Sequence, residues 1–280
     1  MKINIIDTGY FKLDGGAMFG VVPKNLWNKH NPADDKNLCS WAMRCLLIED
    51  GDKLILIDTG LGDKQDDKFF GFYDLHGDAT LISSIQKKGY NITDITDVIL
   101  THLHFDHVGG AVKYNSDRSM LIPTFPNAIY WSNEQHWQWA TNPNPREKAS
   151  FLKENILPLQ ESGQLKFIDK GISPLNNIDF IHVDGHTEQM MLPVISYNDQ
   201  KVVYVADLIP SSFHVPLPWI MSYDVRPLLT MQEKENILQK SAEEKYVLLF
   251  EHDPIYEAAL VEKTEKGIKI LERGDFINFI

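Results

Sequence analysis

Three histidines and an aspartate, His102, His104, Asp106 and His107, crowd into six consecutive positions of this chain. Neutral imidazole nitrogens and carboxylate oxygens are the usual protein ligands for zinc and related divalent ions. With 10 His among 280 residues, three His and one Asp at these offsets would arise by chance in about one such chain in a thousand, so the spacing is specific. A solvated polar loop would leave the clustering unexplained. Groups of the same chemistry recur further on. His186 follows an apolar run at 180–183, Asp207 one at 202–206, and His252 one at 246–250. Each alone reads as a cap or a core residue. Together they fall at the carboxyl ends of predicted strands, where open α/β layers place their sites.

Those side chains need strands to hold them. Residues 97–100 read as a buried strand directly before the histidine cluster. A helix over 80–88 delivers the chain to it, with Leu81, Ile82 and Ile85 on one face and Gly89 as its stop. Upstream, the chain reads as a first strand, a Gly-rich turn at 13–16 and an apolar stretch at 17–22, a hairpin-like opening. Residues 24–40 read as an exposed loop around Trp27, and 61–78 as a charged, aromatic loop. Strands are predicted at 40–48 and 53–57 about a turn at 49–52. Beyond the cluster come a strand at 128–131 and one or two helices over 133–157, interrupted at Asn142-Pro143-Asn144-Pro145. Further strands are predicted at 165–168, 178–183, 190–196 and 202–206. A loop of prolines and aromatics spans 208–227 and reads as a stiff pocket wall. Thr230 and Glu233 fit a capping box opening a helix to about residue 245. A buried strand at 246–250 and a strand or hairpin near 258–273 close the chain. Strands come in two batches, each followed by helices, which predicts two facing sheets with helices outside.

On these residues the chain resembles the metallo-β-lactamase-superfamily hydrolases. Their His-x-His-x-Asp-His motif appears as His102, His104, Asp106 and His107, and their later ligands match His186 (in Gly185-His186-Thr187), Asp207 and His252. Their Asp-Thr-Gly turn matches Asp58-Thr59-Gly60. The resemblance implies an α+β fold, a four-layer αβ/βα sandwich of two mixed β-sheets flanked by helices, as one domain over residues 1–280. It implies two divalent ions, zinc first, with manganese or iron as alternatives. His102, His104 and His186 would hold one, Asp106, His107 and His252 the other, with Asp207 shared. A hydroxide shared by two such ions attacks a carbonyl or phosphoryl centre, and Asp106 would pass a proton to the leaving group. Asp58, and similarly Thr187, would fix the tautomer of a ligating imidazole.

The zinc β-lactamases proper use a cysteine where Asp207 stands, which argues against antibiotic cleavage. The chain is most similar to the branch of acyl-homoserine lactonases and methyl-parathion-type hydrolases, through Asp14-Gly15-Gly16-Ala17-Met18-Phe19-Gly20 and Phe105. It departs where several lactonases carry a tyrosine three residues after the shared aspartate. Here that position is Pro210, with Ser211, Ser212 and His214 in the same loop as substitutes. The expected reaction is hydrolysis of a lactone or ester of an uncharged, fairly hydrophobic small molecule. Met18, Phe19, Trp27, Phe105, Phe213, His214, Trp219 and Met221 are the expected pocket residues. Phosphotriester or thioester hydrolysis on the same core is the alternative, and a metal-binding protein without catalysis is disfavoured because no ligand is missing.

Composition narrows the partners. The net charge is −12, from 27 basic and 39 acidic residues, which argues against nucleic acid and anionic membranes as partners. A nuclease would need basic residues flanking its cleft. Residues 253–280 are too few for a glutathione-binding domain. The N-terminus alternates like a strand and lacks an apolar signal core, and Cys39 and Cys45 read as small buried residues, so a cytoplasmic enzyme is expected. A homodimer is suggested only because related lactonases often pair. His30, His76 and His136 are expected at the surface, and His182 in a structural position.

Overall fold

In a computed structural model that describes residues 1–168 and 173–280, the chain opens on a long strand, β1 (Lys2–Asp14). It runs directly into a helical turn, α1 (Gly15–Phe19), where the sequence predicted a hairpin. The cause is local: the Asp14 carboxylate accepts the Ala17 N–H at 2.8 Å and caps the turn. The predicted exposed loop is also partly helical, as α2 (Lys24–Trp27), and it buries Trp27. The indole stacks on Phe19 with centroids 5.2 Å apart.

β2 (Leu38–Asp50) and β3 (Lys53–Ile57) pair antiparallel about the predicted turn, with Asp50 opposite Lys53. The stretch predicted as an aromatic loop contains a helix, α3 (Asp67–Tyr73). Asp66 caps it by accepting the Phe69 N–H at 2.7 Å, and Asp74 ends it in the left-handed region at φ 42°. α4 (Leu81–Lys87) keeps the predicted register, with Thr80 and Ser83 closing a capping box and Leu81 and Ile85 buried. Next come β4 (Asp97–Ile99), buried throughout, and the short α5 (Phe105–Val108). A small antiparallel pair follows, β5 (Val112–Tyr114) with β6 (Leu121–Pro123). Then come β7 (Ile129–Ser132), α6 (Glu134–Thr141), α7 (Lys153–Glu161) and β8 (Leu165–Phe167). The break between α6 and α7 falls at the predicted Asn-Pro-Asn-Pro stretch.

The chain divides into two compact units. The first comprises Met1–Gly9 and Met43–Asn176. Its sheet has the order β1-β2-β3-β4-β7-β8, with β3, β4, β7 and β8 mutually parallel. Parallel strands are covered on both faces and so read as unbroken apolar runs. Leu47, Leu56, Val98, Leu100 and Tyr130 meet Leu81 and Ile85 of α4 and Ile156 and Leu159 of α7 in one core.

The second unit comprises Tyr10–Ala42 and Asn177–Ile280. Its strands are β9 (Ile178–Val183), β10 (Met190–Tyr197), β11 (Gln200–Tyr204), β12 (Val247–Leu249), β13 (Ala258–Thr264) and β14 (Gly267–Gly274). They lie in the order β14-β13-β12-β11-β10-β9. Only β11 and β12 pair in parallel, because α8 (Pro227–Glu244) makes the crossover between them. α8 begins three residues ahead of the predicted Thr230, with Pro227 in its first turn, where a missing N–H costs nothing. Glu233 is therefore not a cap. Its carboxylate accepts the backbone N–H groups of Asp184 and Gly185 at 2.8 and 2.9 Å. No helix among the described residues is long and apolar enough to cross a membrane.

Candidate metal centre

In the first unit the cluster leaves the end of β4 as a loop and the single turn of α5. Its backbone is tied on all sides. The Leu103 N–H donates to His136 Nε2 at 2.9 Å, Phe105 N–H to the Ser150 carbonyl at 2.9 Å, and Thr59 N–H to the His107 carbonyl at 2.8 Å. A Cβ on Gly109 or Gly110 would run into the Leu61 or Thr59 carbonyl, so the chain closes on itself only with glycine there.

Asp58 sets the chemistry of two imidazoles. It sits at φ 54°, fully buried, and accepts the Thr101 N–H at 2.8 Å and the Thr101 hydroxyl at 2.6 Å. It also accepts Nδ1–H of His107 at 3.1 Å. Because the Thr101 hydroxyl proton is committed to Asp58, its oxygen accepts Nδ1–H of His102 at 3.1 Å. Both rings are thus held with a proton on Nδ1 and a lone pair on Nε2. The His102 lone pair lies 3.1 Å from Nδ1 of His104, and that of His107 lies 3.7 Å from Asp106 Oδ2. His104 turns its other nitrogen toward Glu147, 3.6 Å away. Glu147 is itself held by Trp139 Nε1 at 2.8 Å and Asn144 Nδ2 at 2.5 Å.

The second unit repeats this logic. His186 and His252 follow β9 and β12, and Asp207 lies in the turn after β11. His186 Nδ1–H donates to Asp224 at 2.9 Å, and His252 Nδ1–H to the Ala42 carbonyl at 2.7 Å. Each Nε2 then faces a different oxygen of one carboxylate: His186 lies 3.0 Å from Asp207 Oδ2 and His252 3.0 Å from Oδ1. The turn bearing His186 is clamped as well. Val225 N–H donates to the His186 carbonyl at 3.2 Å and Arg226 N–H to that of Gly185 at 2.8 Å. A Cβ on Gly185 would collide with the Thr230 backbone.

Lone pairs aimed at carboxylate oxygens or at each other repel unless a cation lies among them. Buried carboxylates at Asp58, Asp106, Asp207 and Asp224 demand positive charge for the same reason. Burial disfavours the charged His186 ring, but the charge of Asp207 and the hydrogen bonds of Asp207 and Asp224 outweigh it and raise its pKa to about 10, so without a metal a proton on Nε2 takes the cation's place opposite Asp207. The donor set is all nitrogen and oxygen, as zinc, manganese or iron accept. It contains no thiolate: Cys39 is buried, and its thiol is pushed up to about 12.

Thr187 is fully buried beside His186. The expected pocket residues divide. Met18, Phe19 and Trp27, expected to wall a pocket, are almost wholly buried. They pack as core, where Phe19 stacks on Trp27 and, at 4.8 Å, on His214. His214 is fully buried too, and burial pulls its pKa down to about 3. Its neutral ring accepts the Ser211 hydroxyl proton on Nδ1 at 2.7 Å and donates from Nε2 to the Met18 carbonyl at 2.9 Å. Ser212 is bound to Asp253 at 2.5 Å. Phe213 and Trp219 line a cavity of about 420 Å³ with His30, Val215, Ile268 and Arg273. Phe105 receives Phe69 and Tyr73 of α3, with centroids 5.5 and 4.7 Å away.

Four contributors were missed in the sequence: Thr101, His136, Glu147 and Asp224. His136 was expected at the surface and is instead buried with Trp137 and Ala140 on the inner face of α6. Its i, i+4 spacing from Ala140 was the available signal. Asp224 and Glu147 lie in irregular segments, where no periodicity marks a side chain as buried.

A profile of the metallo-beta-lactamase superfamily matches residues 44–252, and the chain belongs to that superfamily as one of its hydrolases, with the metallo-beta-lactamase fold. It is 22% identical over 247 residues to an N-acyl homoserine lactonase of Bacillus cereus, covering 84% of this chain and 87% of the relative. Among solved structures, a probable metal-dependent hydrolase from Staphylococcus aureus matches with a TM-score of 0.88 at 29% identity, over 98% of this chain and 96% of that one. AidC, a dizinc quorum-quenching lactonase in complex with a product, matches with a TM-score of 0.78 at 24% identity, over 96% and 93%.

Proposed function

We propose that the chain, as a single domain over residues 1–280, is a dinuclear metal-dependent hydrolase that opens a lactone or cleaves an ester of an uncharged, fairly hydrophobic molecule. His102, His104, His186 and Asp207 would hold one ion and Asp106, His107 and His252 the other, with Asp207 shared. The observation that supports this most is the pair of Asp207 oxygens, each opposite the Nε2 of a different histidine whose Nδ1 proton is already committed. A carboxylate so flanked fits two cations better than one. Bound divalent ions, zinc by preference, supply a nucleophilic hydroxide near neutral pH and polarise the substrate carbonyl.

The protein's own groups do the rest. Asp58 and Asp224 keep ligating imidazoles in the tautomer that offers a lone pair. Asp106 takes the proton released as the attacking oxygen adds to the carbonyl carbon and returns it to the departing alkoxide. The aromatic surface of Phe105, Phe69 and Tyr73 suits an apolar acyl or alkyl group. The names of relatives, a lactonase and a metal-dependent hydrolase, support the same reaction class.

The test is a panel of γ- and δ-lactones, acyl-homoserine lactones, aryl esters, thioesters, phosphotriesters and phosphodiesters, alongside elemental analysis. About two equivalents of zinc, manganese or iron per chain are expected, with turnover of lactones or esters lost in His107→Ala and Asp207→Asn. Metal-free protein from a chelator-free preparation, or full activity in either variant, overturns the proposal.

A further inference from the structure

The last turn of α3 presents a polar group that the mechanism above does not use. Tyr73 is half-buried, its ring packed on Phe105 at 4.7 Å and on Phe69 at 5.0 Å. Phe105 immediately precedes Asp106, and the phenol lies near enough to Asp106 to sense its charge. Among the described residues no protein group gives or takes a hydrogen bond at the Tyr73 hydroxyl. A phenol drawn off bulk water with no internal partner is poised for an external one. The other hydroxyls near ligands are committed: Thr101 to Asp58, Ser211 to His214 and Ser212 to Asp253.

We propose that Tyr73 donates a hydrogen bond to the carbonyl oxygen of the substrate as that oxygen takes on negative charge. The proposal rests on the hydrolase reading. In the addition step the water oxygen bonds to the carbonyl carbon, its proton passes to Asp106, and the carbonyl π pair moves onto the oxygen facing Tyr73. In the collapse that pair re-forms the carbonyl and the bond to the alkoxide breaks, with the alkoxide receiving the proton from Asp106. Tyr73 keeps its own proton throughout. It acts by placing a dipole where charge appears in the transition state and not in the ground state.

The test is Tyr73→Phe, which keeps the ring and removes the donor. On a lactone substrate kcat should fall on the order of 10²-fold with KM nearly unchanged, and metal content and melting temperature should match the parent. A simple alkyl phosphonate, which mimics the tetrahedral oxyanion, should bind the parent about 10-fold more tightly than the variant by calorimetry. In the unmodified protein the phosphonate should also shift the tyrosine ultraviolet difference spectrum, a measurement that needs no variant. Equal kcat and equal phosphonate affinity, or no spectral shift, overturn the assignment while the hydrolase reading stands. If the parent cleaves no lactone or ester at all, both fall.

Discussion

Asp58 illustrates how one buried carboxylate fixes two imidazoles. It receives three donors, and through the Thr101 hydroxyl it fixes a second imidazole that it does not touch. It does so from a left-handed backbone conformation at φ 54°, which a non-glycine residue adopts only where its surroundings hold it. Asp224 plays the matching part for His186, and its role is separable from folding because asparagine can still accept the Nδ1 proton. Asp224→Asn should therefore leave the melting temperature of metal-free protein unchanged and weaken divalent-ion binding by about 10- to 100-fold in chelator competition. Unchanged affinity would show that the charge of Asp224 does not reach the ligand. The proposed ligand residues stand out in the sequence because they follow apolar strands. Asp224 and Glu147 do not, since a carboxylate in an irregular segment looks alike whether it faces water or an imidazole.

At the level of elements, periodic segments were read well and short ones poorly. The α4 helix and most strands lie within a few residues of expectation because each buries one face or both. α1, α2 and α3 were missed: each has seven residues or fewer and is set by a cap or by tertiary packing rather than by a repeating stripe. The predicted pocket wall at 208–227 is held more firmly than its prolines alone would hold it. The buried Lys234 ammonium donates to the carbonyls of His214, Pro216 and Trp219 at 2.9, 3.1 and 2.8 Å. His214 adds a pH dependence. Burial lowers its pKa from 6.5 to about 3, so folding favours the neutral ring. The stabilisation is complete above about pH 6.5 and is lost as the pH falls toward 3. Urea midpoints should drop over that window, and the drop should be shallower in His214→Phe, which keeps the aromatic stack without the titrating group. Equal slopes in both proteins would exclude His214 as the cause.

For the molecule as a whole, the chain belongs to the metallo-beta-lactamase superfamily, and its −12 net charge disfavours a polyanionic partner. β1 and β2 each contribute residues to both compact units, whereas β9–β14 lie wholly in the second. If the chain is one domain, urea unfolding should give a single transition, coincident by far-ultraviolet and near-ultraviolet circular dichroism. Added zinc should shift that transition upward in proportion to the logarithm of its concentration. Two resolved transitions would instead make each unit an independent folding body.

The clamp around His186 has a consequence for recombination. Gly185, Asp224, Arg226, Thr230 and Glu233 fit one another through backbone contacts, two carboxylates and a missing side chain. Segments 184–186 and 224–233, far apart in the chain, therefore behave as one heritable block. A chimera that grafts a relative's 208–223 segment here should keep divalent-ion affinity only if crossovers leave segments 184–186 and 224–233 from the same parent.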